Sequence, residues 1–231
     1  MKKLIKVLVL HFLSFSILSA TAMAVPITGT SLQDFFDSKA WGLDVDDDQM
    51  AMHKGWKLTN ASGASNMVFY HEHIQDMAFG IYSTADLQEA TVFDADDAPL
   101  AMATVSFDAG NVIIVQYWDS NGLFIEHTSS AFTGKTFGFW IADGTNKYYS
   151  DANRNDIDGD TIFGEQDDIA LLVYNADPGS YVFAGDITGN RDFTDIVTQA
   201  ESIIPAPEPA SMILLGIGLI GLAGILRKKI R

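Results

Sequence analysis

The sequence predicts an all-β body, an antiparallel sandwich or jelly roll, and three observations support this. Seven short stretches are rich in aromatic and β-branched residues. Clusters of Gly, Asp and Asn separate them. No strand-like stretch alternates with an amphipathic helix-length one, as a βαβ fold would require. Each end of this body carries a segment of different composition, basic-then-apolar at the N-terminus and apolar-then-basic at the C-terminus.

The first element is an address. Lys2, Lys3 and Lys6 precede the apolar run Val7 to Leu18, and Ala22-Met23-Ala24 puts small residues on both sides of Met23. This pattern predicts a signal peptide over 1–24, cut before Val25, and hence an exported protein. TSLQDFFDSK, Thr30 to Lys39, reads as a short helix capped by Thr30 or Ser31. DVDDDQ, Asp44 to Gln49, lacks Gly and Asn turn chemistry and reads as a solvated loop.

The expected strands then follow in order: NMVFY (66–70), LAMATVSF (100–107), NVIIVQYW (111–118), LFIEH (123–127), KTFGFWI (135–141), DIALLVY (168–174) and YVFAG (181–185). FDAGNVIIVQYW reads as a hairpin turning at Asp108 to Asn111. His71 and His73 share a strand face, but two ligands do not make a zinc site. The body, 25–204, has the length of one domain, although its pattern leaves open whether 25–100 folds separately.

Composition excludes several function classes. All 30 Asp and Glu lie between Val25 and Glu208, against seven of the 14 Lys and Arg, a net charge near −23. Such a body repels nucleic acid and anionic polymers. Cysteine is absent, which excludes disulfides, thiol catalysis and thiolate metal sites. GIGLIG, Gly216 to Gly221, matches G-x-G-x-x-G, but it follows a Pro-rich PAPEPA, not a strand, and no acid comes after it. No nucleotide cofactor is expected. G-x-S-x-G and Walker A motifs are absent, and paired carboxylates are too frequent to single out a hydrolase pair. The expectation is a non-enzyme.

The densest candidate chemistry lies in YYSDANRNDIDGDTIFGEQDD and the following GDITGNRDFTD. Hard cations such as Ca²⁺ take six to eight oxygen ligands, and oxygen-bearing residues at alternate loop positions can supply them. The candidate ligands are Asp151, Asn153, Asp156, Asp158 and Asp160, with Asp186, Asn190, Asp192 and Asp195 from the second turn. Asp156, Asp158 and Asp160 match EF-hand positions 1, 3 and 5, but Thr161 stands where that loop needs Gly. The same residues equally make a solvated acidic loop and a charged turn. Trp118, Trp140 and Tyr148 are candidates for stacking on a sugar ring, against core packing as the alternative.

The tail has three parts. Pro207-Glu208-Pro209 comes first, then the 17 uncharged, mostly apolar residues Ala210 to Leu226, then Arg227, Lys228, Lys229 and Arg231. As a helix, 17 residues span roughly 25 Å, a minimal membrane crossing with the basic cluster inside. The segment 205–231 resembles the PEP-CTERM sorting signal. That resemblance implies a Gram-negative protein anchored transiently in the inner membrane and processed near the PEP motif by an exosortase, a membrane enzyme. Release to the cell surface or the extracellular matrix would follow, often beside exopolysaccharide.

Residues 145–200 resemble a second family, the bacterial domain of unknown function 4114, at Tyr149, Ser150, Asp151, Asp186, Gly189, Arg191, Asp192, Phe193, Asp195 and Val197. Gly185, Asn190 and Thr194 depart from its pattern and remove or soften two carboxylates. That family implies a module of surface proteins, not an enzyme. The resulting expectation is an exported structural or adhesive protein ordered by calcium, whose partner is exopolysaccharide or itself. The alternatives are a carbohydrate-binding module and, behind it, an extracellular hydrolase.

Overall fold

In a computed structural model describing residues 30–50, 53–59, 67–74, 77–97, 100–108, 112–155, 157, 168–187 and 191–206, the body is a sandwich of two antiparallel sheets. The helix α1 (Thr30–Lys39) spans the expected residues. Ala40 closes it at φ +56°, and the Trp41 N–H bonds the Phe36 carbonyl at 3.4 Å.

The strands are β1 (Gln49–Met50), β2 (Trp56–Leu58), β3 (Met67–Ile74), β4 (Ala78–Ser83), β5 (Glu89–Phe93), β6 (Met102–Phe107) and β7 (Val112–Trp118). They continue as β8 (Phe124–Ala131), β9 (Phe137–Ala142), β10 (Lys147–Tyr149), β11 (Leu171–Asp177), β12 (Ser180–Gly185), β13 (Ile196–Glu201) and β14 (Ile203–Pro205). All seven expected strands are present. The larger sheet runs β1-β11-β12-β13-β3-β6-β7-β8, and the smaller runs β14-β2-β9-β4-β5 with β10 against β9.

The ends of the chain are woven together. β3 lies between β13 and β6, pairing Ala200 with Phe69 on one side and Phe69 with Ala103 on the other. β14 pairs with β2, and β1 with β11. The first third therefore shares both sheets with the last. β14 also runs through Pro205, and the Ala206 N–H bonds the Gly55 carbonyl at 2.8 Å, so the sheet reaches two residues past 204.

The sheets meet through aromatic rings. Phe139 of β9 lies 4.2 Å, centroid to centroid, from Phe183 of β12, and Trp56 of β2 packs edge-on against Tyr181 and Phe183. Full burial of each ring is worth about 1.5–3 kcal/mol. The strict alternation of β6, with Ala103, Val105 and Phe107 inside, follows from having only one buried face. β11 and β12 are apolar on both sides for the opposite reason. Val173 and Phe183 face the sandwich core, whereas Leu172, Tyr174, Val182 and Ala184 pack under α1 with Leu32 and Phe36.

The smaller sheet seals its own outer face. Trp140 lies across Gly80, where an added Cβ would sit 2.3 Å from the indole, and Tyr82 lies across Gly138 in the same way. Glycine permits these close approaches because it carries no Cβ.

Candidate functional site

The acidic residues are gathered by strand neighbourhood. Asp168 precedes β11, Asp186 follows β12 and Asp195 precedes β13; because these three strands are antiparallel neighbours, all three carboxylates stand at one end of the larger sheet. Asp168, Asp186 and Asp195 are only 1%, 4% and 7% exposed. Buried carboxylates need hydrogen-bond donors, and here backbone amides supply them. Asp168 accepts the Ile157 N–H at 3.0 Å, Asp195 accepts the Ile187 N–H at 2.9 Å, and Asp186 accepts the Arg191 N–H.

Asn155, also buried, ties the loop before Asp168 to β10. Its amide donates to the carbonyls of Tyr149 at 2.8 Å and Asp168 at 2.9 Å, and its oxygen accepts the Tyr149 N–H at 2.8 Å. The turn after β12 is conformationally costly. Arg191 and Phe193 adopt φ +62° and +52°, left-handed values that cost roughly 1–2 kcal/mol each for L-residues. Phe193, 1% exposed in the core under α1, holds the turn in place.

The other expected ligands differ in placement. Asp151 sits at the same loop but pairs with Lys54 at 3.6 Å and Arg154 at 3.5 Å, and Asn153 donates to it at 2.9 Å. Asp192 accepts the Thr194 N–H at 3.1 Å. Asp156, Asp158, Asp160 and Asn190 lie outside the described residues. Among the described residues no three His, Cys, Asp or Glu form a metal-holding group. The Asp44–Asp48 cluster closes on itself, with Asp44 accepting the N–H groups of Asp46 and Asp47 at 2.9 and 3.0 Å. Asp143 does likewise at the β9–β10 turn; the Asn146 N–H and then the Thr145 N–H hold its carboxyl below the ordinary range.

The aromatic candidates part company. Trp140 is 4% exposed, donates its Nε1–H to the Ile81 carbonyl at 3.2 Å and lies under the Lys147 ammonium, 4.2 Å from the ring centroid. Tyr148 packs against the main core. Trp118 remains at the surface, half-buried, 5.8 Å from Phe124.

A feature that linear reading missed is the pairing Glu89–Lys147–Tyr149 on the outer face of the smaller sheet. Lys147 Nζ lies 2.5 Å from Glu89 Oε2, and the Tyr149 hydroxyl donates to Oε1 at 3.0 Å. Desolvation first, then the Glu89 carboxylate, pushes the Tyr149 phenol up to about 12. These residues lie 58 and 60 positions apart, so local spacing carried no signal of them.

Ala206, hydrogen-bonded to Gly55, is the last described residue, and Pro207 follows it in sequence. Pro207, Glu208, Pro209, Arg227, Lys228 and Lys229 lie outside the described residues, as do 1–24 and the apolar run 210–226. Among the described residues no helix is long and apolar enough to cross a membrane. Residues 205–228 match the model of the PEP-CTERM protein-sorting motif. Neither a curated protein nor a solved structure matches the chain. The resemblance of 145–200 to the domain of unknown function 4114 is not shown by these comparisons. A β-sandwich body is thus followed by a segment that matches the PEP-CTERM sorting motif, and this match supports export and sorting through an exosortase-type system.

Proposed function

We propose that this protein is a non-catalytic structural component of the cell surface or extracellular matrix, ordered at its acidic end by calcium. The observation that carries this reading is the gathering of Asp168, Asp186 and Asp195, buried, at the sheet end from which both acidic loops depart. The described carboxylates are spent on backbone amides. A cation would therefore be held mainly by the loops they anchor, through Asp156, Asp158, Asp160 and Asn190, with Asp151, Asn153, Asp186, Asp192 and Asp195 at the margins. A hard divalent ion there offsets the repulsion within a body of net charge near −23. The tail supports the location, because it links the body to a membrane enzyme of the exosortase kind before release.

Thermal unfolding of the full chain in detergent tests the calcium reading, with CaCl₂, with MgCl₂ at equal ionic strength and with EDTA. Calcium at about 100 times its dissociation constant adds ~2.7 kcal/mol, a rise of roughly 5–10 °C for a body of this size. Asp158→Ala should abolish the calcium-dependent increment. Identical midpoints in all three solutions would exclude a calcium-ordered loop. The carbohydrate-binding alternative retains one surface aromatic, Trp118.

A further inference from the structure

The Ala206 N–H bonds the Gly55 carbonyl, and a Cβ added at Gly55 would sit 3.7 Å from the Ala206 Cβ and 2.7 Å from Thr136 Cγ2. β14, β2 and the start of β9 thus meet at one place along the β14 edge of the smaller sheet. In sequence, only Pro207, Glu208 and Pro209 stand between Ala206 and the apolar run 210–226. Whatever their conformation, the four Cα steps from Ala206 to Ala210 reach at most about 14 Å. The headgroup layer of a bilayer is itself about 5–7 Å deep. With the run anchored in a membrane, this edge is held within reach of the headgroups.

The same edge differs in charge from the rest of the body. Residues 53–59, 133–137 and 202–206, which hold β2, the start of β9, β14 and their flanks, contain no Asp or Glu and carry Lys54, Lys57 and Lys135. These are three of the seven Lys and Arg between Val25 and Glu208, a stretch that holds all 30 acids. Lys57 pairs in register with Ile204 and, one position after the buried Trp56, belongs to the outer face. Lys54 and Lys135 are exposed. Asp151 reaches this edge but is held between Lys54 at 3.6 Å and Arg154 at 3.5 Å. The described acid clusters lie elsewhere. Asp44–Asp48 leads into β1, Asp94–Asp97 follows β5, and Asp168, Asp186 and Asp195 stand at one end of the larger sheet.

We infer that this edge is the membrane-facing surface of the anchored chain, and that Lys54, Lys57 and Lys135 lie against anionic lipid headgroups. Tether length and charge point the same way. A body of net charge near −23, held within about one Debye length (~8 Å) of an anionic surface, turns its acids away from it. The acid-free edge beside the tether is the part that approaches, and its lysines are attracted. The partner is a lipid surface because the tether beyond the headgroups, about 7–9 Å, is shorter than the 10–12 Å diameter of one helix, so no folded partner fits between. The inference goes beyond the structural role proposed above and rests only on the anchoring of the tail; calcium does not enter.

The chain has no cysteine, so an introduced one carries a fluorophore at a single site. Thr59→Cys reports on this edge, being exposed with its N–H on the Ser202 carbonyl, and the exposed Ser129→Cys reports on β8, the far end of the larger sheet. Each labelled full-length chain is reconstituted, with EDTA, into vesicles of phosphatidylethanolamine and phosphatidylglycerol that contain a lipid with a nitroxide on its headgroup. The Thr59→Cys label should be quenched and the Ser129→Cys label should not. Quenching at Thr59→Cys should fall in phosphatidylcholine vesicles, in the Lys57→Glu/Lys135→Glu double variant, and at 1 M salt, where the Debye length is about 3 Å. The salt arm needs no substitution, so a double variant that misfolds does not decide the result. Equal quenching at the two sites overturns the inference, as does stronger quenching at Ser129→Cys. Quenching at Thr59→Cys that salt leaves unchanged overturns the assignment to lysines. A chain that fails to float with vesicles of either composition overturns the anchoring of the tail as well, whereas a floating chain with equal quenching overturns the inference alone.

Discussion

The two halves of the eight-stranded sheet treat their outer face in opposite ways. Over β11, β12 and β13, the helix α1 and the segment carrying Leu43 and Val45 form a second layer, and the outward residues are Leu172, Tyr174, Val182, Ala184 and Val197. Over β6, β7 and β8, the outward row is half-buried and mixes Thr104, Ser106 and Gln116 with Ile114 and Trp118. The strands are alike in class, yet one half has two apolar faces and the other one. An outward position becomes apolar when another element covers it, and the covered half here is the half that also anchors the acidic turns. The smaller sheet takes a third course, laying Trp140 and Tyr82 flat over its own glycines under Lys147 and Arg154.

The largest expected effect tests the covered half directly. Phe36 is fully buried and edge-on to Tyr174 at 5.0 Å. Phe36→Ala should cost about 3–5 kcal/mol in urea unfolding, with Thr104→Ala on the bare half staying within about 0.5 kcal/mol. Equal costs at the two sites would erase the contrast.

The self-sealed face should be next most sensitive. In Gly80→Ala the new methyl meets the Trp140 ring at 2.3 Å and the Ala90 carbonyl at 2.5 Å. Either the indole or β5 must move, at about 1–3 kcal/mol. A Gly80→Ala protein of unchanged midpoint, with its tryptophan fluorescence unaltered, would show that the indole does not lie there.

The smallest effect is read by pH. Tyr149 in the folded state titrates at about 12, against about 10 for an unfolded tyrosine. Its contribution to stability is therefore fully present below pH 10 and is lost as pH rises through 12. Stability measured across that window should fall less steeply in Tyr149→Phe, and Glu89→Gln should move the phenol back toward its ordinary value by absorbance titration. If neither variant alters the slope, the Glu89–Tyr149 contact is not made in solution.

Much of this architecture was legible before any coordinates. The one-face-buried strands β6 and β7 advertise themselves by alternation, and α1 (Thr30–Lys39) was expected over these same residues. Other elements gave no comparable signal. β4, AFGIYS, carries a glycine at its centre that reads as a breaker, and only the indole of Trp140, 60 residues away, explains it. β8 extends past His127 through Thr128–Ala131, because an edge strand needs no apolar row to stay paired with β7. For the acidic site, spacing grouped Asp151 with Asn153, whose amide donates to Asp151 at 2.9 Å. It could not show that Asp168 and Asp195, 27 positions apart, end up buried at one end of the sheet.

By itself, then, the sequence determined the fold class and the address. Side-chain period along a strand, and a short tail of Pro-Glu-Pro, apolar run and basic cluster, are properties of contiguous residues that need no partner to be read. Only the tertiary structure decided which strands became neighbours, which outer face received α1, and which strands were left at the sheet edges. Those outcomes rest on pairings such as β3 with β13, between segments more than 120 residues apart. Such pairings are stabilised jointly by burial across two sheets, which no window of sequence contains.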